Sequence, residues 1–195
     1  MVIGLTGKTC SGKNYICSIL NKKGYVIVDA DLIAHVGLSA KKDLLVKDFG
    51  KEIINEKGEV DRTVLGRKVF SDKEKLRKLE TILGSYIIEE IQKIIKNNSK
   101  EIVIINAPLL QRYKLDKICD KSIFVTSCFF VRYLRARKRD KISFYNFYNR
   151  NKNQKDISLR KLKKEMEVKI IHNSFNSNNI YRQINSFCDR IKSEE

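Results

Sequence analysis

The chain is short of several residue types. Its 195 residues include one proline, no tryptophan and two histidines, His35 and His172. A single proline argues against a Pro-rich hinge between independent domains, so we expect one domain with a small inserted subdomain. The five cysteines form no CxxC pair, which leaves a structural zinc site without its usual ligand spacing. We therefore expect free thiols, buried or half-buried, in a reducing compartment.

Long apolar runs are also missing. No stretch reaches about 18 consecutive apolar residues, so we expect no membrane-spanning segment. The opening residues MVIGLTGKTC lack the basic and apolar regions of a secretory signal, and the expected location is the cytoplasm. Hydrophobic residues still make up 42% of the chain, which is enough for a sizeable core at this length.

Acidic residues are outnumbered. Lys and Arg total 40 against 23 Asp and Glu, for a formal net charge of +17. Such a field attracts polyanions, including nucleotides and nucleic acid. The alternative interpretation is a lysine-rich composition that covers solvated faces everywhere, and we weigh it more heavily for the charge as a whole.

Four short apolar runs predict buried strands at residues 1–6, 25–29, 101–106 and 122–126. Helical spacing of apolar residues fills much of the chain between them. This alternation predicts an α/β fold: a three-layer parallel sheet with helices on both faces.

Some helix boundaries are indicated as well. Ser71 with Glu74 predicts a capping box, and the apolar pattern after it runs through Gly84, which leaves open one long helix or two. Beyond residue 126 the pattern predicts only helices, separated by a polar stretch around 149–156.

Between the first strand and the first helix lies GKTCSGKN, residues 7–14. It fits the phosphate-loop pattern G-x-x-x-x-G-K-[ST] except at Asn14. Glycines let successive backbone N–H groups surround an anion, the helix N-terminus adds its dipole, and Lys13 adds a point charge for the β- and γ-phosphates. Asn14 replaces the hydroxyl that ligates Mg²⁺, although an amide oxygen is still a hard ligand. The alternative is a strand–turn–helix in which Gly7 and Gly12 only form the turn.

Five motifs in order carry a resemblance: GLTGKTCSGKN, VDADLIAH, EVDRTVLGRKVFSD, INAPLL and LRARKRD. Their order and spacing over nearly the whole chain resemble the dephospho-coenzyme A kinase family. The resemblance implies a single P-loop kinase domain over 1–195, with a helical substrate-binding insertion at 32–99 and a lid segment at 132–165. It also implies ATP-dependent phosphorylation of the ribose 3′-hydroxyl of dephospho-coenzyme A, the last step of coenzyme A synthesis, with Mg²⁺.

The resemblance assigns roles to residues of this chain. It implies catalytic roles for Asp31, the matched base, and for Lys13, Arg135 and Arg139. It implies contacts with ATP for Gly7, Lys8, Thr9, Cys10, Ser11, Gly12, Lys13, Asn14, Tyr15 and Asn173. It implies contacts with the acceptor for Asp31, Asp61, Arg62, Arg67 and Arg150, and contacts with Mg²⁺ for Asn14 and Asp31.

The same residues have plainer interpretations. Asp29 and Asp31 at a strand end can be turn or helix-cap acids, and Arg62 can be a surface ion-pair residue. The basic run 132–140 beside Phe144, Phe147 and Tyr148 can be a nucleic-acid patch, although we favour packing within the lid.

The chain departs from the family pattern at several positions. Lys8 and Cys10 replace loop glycines, Asn14 replaces Ser or Thr, and Asn106 replaces an acid. Gly84-Ser85 replaces His-Pro, and Arg112 replaces Glu. These departures keep two other functions open: another small-molecule P-loop kinase, of a nucleoside or nucleotide, and a non-catalytic nucleotide or nucleic-acid binder on the kinase scaffold.

Overall fold

The computed structural model describes residues 1–111, 113–154, 157–174 and 177–193. Arg112 therefore lies outside the described residues. The strands and helices are, in chain order, β1 (Val2–Thr6), α1 (Lys13–Lys22), β2 (Val26–Asp29), α2 (Ala30–Ala40), α3 (Lys42–Phe49), α4 (Arg62–Phe70), α5 (Lys73–Asn97), β3 (Val103–Asn106), β4 (Lys121–Thr126), α6 (Phe129–Asp140), α7 (Phe144–Lys152), α8 (Leu159–Glu165), β5 (Glu167–His172) and α9 (Ser177–Lys192). Short 3-10 turns lie at Lys51–Ile53 and Leu115–Ile118.

The strands form one parallel sheet in the order β2-β3-β1-β4-β5. β1 is central and pairs with β3 on one side and with β4 on the other, with Leu5 opposite both Asn106 and Ile123. The carboxyl ends of parallel strands meet at one edge, which is where α/β folds place their ligands. The predicted α/β fold is confirmed.

β5 was not predicted from the sequence, because the region after residue 126 was predicted to contain only helices. Glu167–His172 pairs along its whole length with β4 and forms the edge of the sheet. Only Ile171 is fully buried in it, and its two ends are exposed. An edge strand of this kind lacks the continuous apolar run that marks a central parallel strand.

Two compact units make up the chain, one of residues 1–28 with 98–195 and the other of residues 29–97. In the first unit, α1 and α9 bury their apolar faces against the sheet. The buried cluster there includes Ile3, Leu5, Ile16, Leu20, Ile123, Ile171, Ile184 and Phe187. On the other face, Gly4 leaves room for the Leu110 side chain, whose Cδ2 would lie 2.7 Å from an added Cβ.

The unit of residues 29–97 has its own core of Leu45, Phe49, Ile53, Leu65 and Val69. Its main elements are helices, and a turn with an antiparallel bridge between Ile54 and Val60 precedes α4. α5 passes through Gly84 as one helix of 25 residues. This settles the question that Gly84 raised in the sequence.

The predicted capping box at Ser71 and Glu74 is wrong. Asp72 Oδ1 accepts hydrogen bonds from the backbone N–H groups of Glu74 and Lys75, so it caps α5. The Ser71 hydroxyl instead donates to the carbonyls of Arg67 and Lys68 at the end of α4. An aspartate one residue later competes successfully because its carboxylate accepts from two N–H groups at once.

No helix among the described residues is long and apolar enough to cross a membrane.

Candidate nucleotide and phosphoryl-transfer site

The loop of residues 7–12 joins β1 to α1 at the carboxyl edge of the sheet. Gly7 and Gly12 have φ values of +151° and +95°. A Cβ on Gly7 would lie 2.2 Å from the Val125 carbonyl oxygen, and one on Gly12 would lie 1.9 Å from Asn173 Nδ2. Both glycines are therefore required by close packing as well as by backbone conformation.

Cys10 is the strained member of the loop. It has φ +58°, a left-handed conformation that costs a non-glycine residue roughly 1–2 kcal/mol. The left-handed conformation is one that glycine adopts without this cost. The Ser11 N–H donates to the Lys8 carbonyl at 3.1 Å and closes the turn that holds this shape.

Lys13 begins α1, and its ammonium lies over the loop. Its Nζ donates to the Gly7 carbonyl at 2.9 Å. In phosphate loops a lysine at this position serves the β- and γ-phosphates, and here its ammonium lies at the Gly7 end of the loop.

Arg135 and Asn173 support the other end of the loop. The Asn173 Nδ2 group donates to the Ser11 carbonyl at 2.8 Å, and Asn173 is buried at the end of β5. Arg135 on α6 donates to Asn173 Oδ1 at 3.1 Å and to the carbonyls of Cys10 and Ser11 at 3.4 Å. Burial lowers the pKa of this guanidinium from its ordinary value. The structure thus brings together three predicted regions: the loop, one lid arginine and Asn173.

Arg132 is a loop-contacting residue that sequence reasoning did not assign. Its side chain is buried, and it donates to the carbonyls of Ser127 (3.2 Å) and Thr9 (3.5 Å) and to Asn151 Oδ1 (2.8 Å). Burial is the main cause that lowers its pKa. The missed signal was the spacing: Arg132 and Arg135 are three residues apart and share one face of α6.

Arg139 and Arg150, two of the predicted site arginines, converge on one acid instead of on the loop. Arg139 Nε and Arg150 Nη1 each donate to the Asp140 carboxylate at 2.7 Å. These bonds lower the pKa of Asp140 to about 2, with Arg139 the larger cause. The bond to Asp140 likewise raises the pKa of Arg139.

Asn14 and Asn106 face each other at the start of α1 and the end of β3. The Asn106 Nδ2 group donates to Asn14 Oδ1 at 3.3 Å. Next to Asn14, Tyr15 is exposed, and a hydrogen bond to Tyr181 is the largest cause that raises the Tyr15 pKa.

The predicted acids of the unit of residues 29–97 lie at helix starts. Asp29 is the last residue of β2 and caps α2, accepting from the N–H groups of Asp31 and Leu32. Asp61 caps α4 in the same way. The helix-cap interpretation therefore holds for Asp29, whereas the Asp31 carboxylate is exposed in the first turn of α2.

The predicted substrate arginines of this unit lie on α4. Arg62 begins the helix and makes a 3.2 Å contact with the His35 ring nitrogen Nδ1. Arg67 lies one turn before the end of the helix and is exposed.

The aromatic residues beside the basic run form a packed cluster between α6 and α7. Phe147 is fully buried, with ring centroids 5.3 Å from Phe129 and 5.7 Å from Tyr133. Phe144 packs edge-on against Tyr133 at 5.2 Å. Tyr148, in contrast, remains exposed.

The parallel sheet places a glycine-rich loop and a lysine at the start of its first helix, and arginines of a later helix bind that loop. This arrangement defines a P-loop kinase. Residues 1–179 match the dephospho-CoA kinase family. The chain is 34% identical to a dephospho-CoA kinase of Fusobacterium nucleatum, with 98% of each chain covered. The chain belongs to the dephospho-CoA kinase family.

Solved structures agree on the fold. A protein of Thermus thermophilus superposes with a TM-score of 0.84 at 22% identity, with 97% of each chain covered. A dephospho-CoA kinase of Campylobacter jejuni superposes with a TM-score of 0.69 at 22% identity, with 100% of this chain and 98% of that one covered.

Proposed function

We propose that this protein transfers the γ-phosphoryl group of ATP to the ribose 3′-hydroxyl of dephospho-coenzyme A. The observation that carries the proposal is the loop itself: Lys13, Arg132 and Arg135 surround it in a chain of the dephospho-CoA kinase family. Cationic groups held in place before the reaction stabilise the charge that spreads over the transferred phosphoryl group.

In this mechanism the residues divide the work. Backbone N–H groups of residues 10 and 12–14 bind the phosphates, and Lys13 neutralises their β/γ end. Arg135 holds the loop to Asn173 and α6. Arg139, in the proposed lid segment, stabilises the charge of the transferred phosphoryl group. Asp31 accepts the proton of the attacking hydroxyl, as a general base. Asp61, Arg62, Arg67 and Arg150 are the proposed acceptor contacts, and Tyr15 and Asn173 the proposed ATP contacts beside the loop.

The proposed metal side of the loop is formed by two neutral amides. The oxygen of Asn14 accepts one hydrogen bond, from Asn106 at 3.3 Å, and neither amide carries the negative charge that favours a hard divalent cation. Asn14 is accordingly a weak ligand for Mg²⁺, and Asp31 is the other proposed ligand.

The test is ADP release from Mg²⁺-ATP with and without dephospho-coenzyme A, with the product identified by mass. We expect acceptor-dependent ADP and a product heavier by one phosphoryl group. Coenzyme A is the matched control acceptor, since its 3′ position is already phosphorylated and it should release no ADP. Transfer to a nucleoside instead of dephospho-coenzyme A would contradict the proposed substrate, and ATP binding without any transfer would contradict the proposed enzyme.

A further inference from the structure

We infer that Lys8 is a second phosphate-binding lysine, and that it replaces charge neutralisation that related loops obtain from a metal held by the protein. The inference rests on the proposed function only in taking ATP as the ligand. Three observations carry it: the position of Lys8 in the loop, its partial burial near the Arg132 guanidinium, and the amide pair Asn14–Asn106.

The position of Lys8 follows from Lys13. The Lys13 ammonium, which serves the β- and γ-phosphates, lies 2.9 Å from the Gly7 carbonyl. Lys8 is the next residue along the chain, so its four-carbon stem starts at the same end of the loop. The stem is flexible enough to place an ammonium on a phosphate oxygen from there.

The surroundings of Lys8 favour an anion. Within the part of the chain that the structure describes, no carboxylate pairs with Lys8. Partial burial and the nearby Arg132 guanidinium lower the Lys8 pKa. A half-buried cation beside another cation is destabilised without a ligand, and the triphosphate of ATP removes that cost.

At the metal side of the loop, the capacity to bind a cation is reduced. Asn14 stands where the loop's hydroxyl ligates Mg²⁺, and its oxygen is bonded to the Asn106 amide. Neither side chain carries a negative charge, so this pair attracts a divalent cation less than a hydroxyl–carboxylate pair would. Positive charge has been added at Lys8 while metal-binding capacity has been reduced at Asn14.

The consequence is that ATP binding by this chain depends weakly on Mg²⁺. The experiment is isothermal titration of ATP, without any acceptor, in EDTA and in excess Mg²⁺. The variants are Lys8→Met, which keeps the stem and loses the charge, and Lys8→Gly, which restores the family residue. Lys22→Met is the matched control, because Lys22 is an exposed lysine in the last turn of α1.

We expect the wild type and Lys22→Met to bind metal-free ATP within about threefold of Mg²⁺-ATP, since Lys8 supplies the missing charge. Both Lys8 variants should lose at least about tenfold in metal-free ATP affinity, a factor typical of one charge-assisted bond. In the double variant Asn14→Ser with Asn106→Asp, Mg²⁺ should strengthen ATP binding more than it does in the wild type.

Two results would overturn the inference: wild-type binding that needs Mg²⁺, or Lys8 variants that match Lys22→Met. Because no acceptor is present, neither result bears on the choice of dephospho-coenzyme A. Conversely, failure to phosphorylate dephospho-coenzyme A would contradict the proposed function without changing the ATP affinities expected for the Lys8 variants.

Discussion

Gln154 and Thr9 exchange two hydrogen bonds. The Gln154 Nε2 group donates to Thr9 Oγ1 and its Oε1 accepts from the Thr9 N–H, each at 3.0 Å. The remaining polar group of Thr9, its carbonyl, accepts from Arg132 at 3.5 Å. Every polar group of this loop residue is thereby bound by Arg132 of α6 or by Gln154, which follows α7, so these bonds join the loop to that segment.

Replacing Gln154 by Leu should reduce kcat/KM about tenfold, because two neutral hydrogen bonds contribute roughly 0.5–1.5 kcal/mol each. Since the loss concerns the loop, the KM for ATP should rise while the melting temperature changes little. Steady-state kinetics with ATP varied, together with thermal unfolding, measures both. Asn153→Leu makes the same kind of change at an exposed neighbour and is the control; equal kinetics for the two variants would refute the joined loop.

Gly12→Ala should abolish ATP binding, whereas Gly24→Ala should preserve it. The two glycines have nearly the same φ, +95° and +91°, so both substitutions carry the same left-handed strain of about 1–2 kcal/mol. They differ in space, since a Cβ at Gly12 would meet Asn173 at 1.9 Å and one at Gly24 meets nothing within 4 Å. ATP titration and denaturant unfolding of the pair separate strain from collision. Similar ATP affinity in both would show that Asn173 moves aside freely.

Asp31→Asn should lower kcat by at least about 100-fold while changing ATP affinity little, since general-base catalysis contributes roughly 10²–10⁴-fold. Asp43→Asn, at an exposed aspartate in the first turn of α3, is the matched control and should leave kcat intact. Single-turnover kinetics and ATP titration distinguish the two effects. A defect confined to ATP binding would remove Asp31 from the role of base.

The Asp140 carboxylate should make stability depend on pH in the acid range. Its folded pKa of about 2 is below the unfolded value of about 3.9, so the stabilisation is fully present above the unfolded pKa. It is lost as pH falls from there through the folded pKa. Urea unfolding should be measured from pH 6 to pH 2. Near pH 6 the free energy of unfolding should be larger for wild type than for Asp140→Asn, and this difference should shrink as the pH falls. A gap that stays constant over this range would show that the carboxylate's charge is not responsible.

The three inner strands β1, β3 and β4 were predictable because they are almost wholly buried and contain continuous apolar runs. β1, β2, β3 and β4 each lie within one residue or two of the predicted bounds. The phosphate loop was predictable because its glycine spacing is dictated by backbone geometry that few other residues satisfy. Of the two edge strands, β2 was still predicted because residues 26–28 are an uninterrupted apolar run. β5 was missed because Lys169 interrupts its apolar residues.

The hydrogen-bond partners of the side chains could not be predicted from the sequence. Charge and spacing identified the basic run of α6, yet they did not separate Arg132 and Arg135, which bind the loop, from Arg139, which binds Asp140. All three arginines share one face of α6, so the division depends on position along the helix, since Arg139 lies one turn beyond Arg135 and next to Asp140. The same holds for Asn14, whose partner Asn106 is 92 positions away and is brought close only by the pairing of β3 with β1.

The loop at residues 7–14 is synthesised well before the side chains that fasten it, which lie at residues 132–154 and 173. Asn173 directly follows β5, the strand that pairs with β4 at one edge of the sheet. During synthesis the nucleotide site is therefore completed only after Asn173 has been added. Nucleotide affinity in this protein is accordingly a readout of whether the carboxyl-terminal part of the chain has folded.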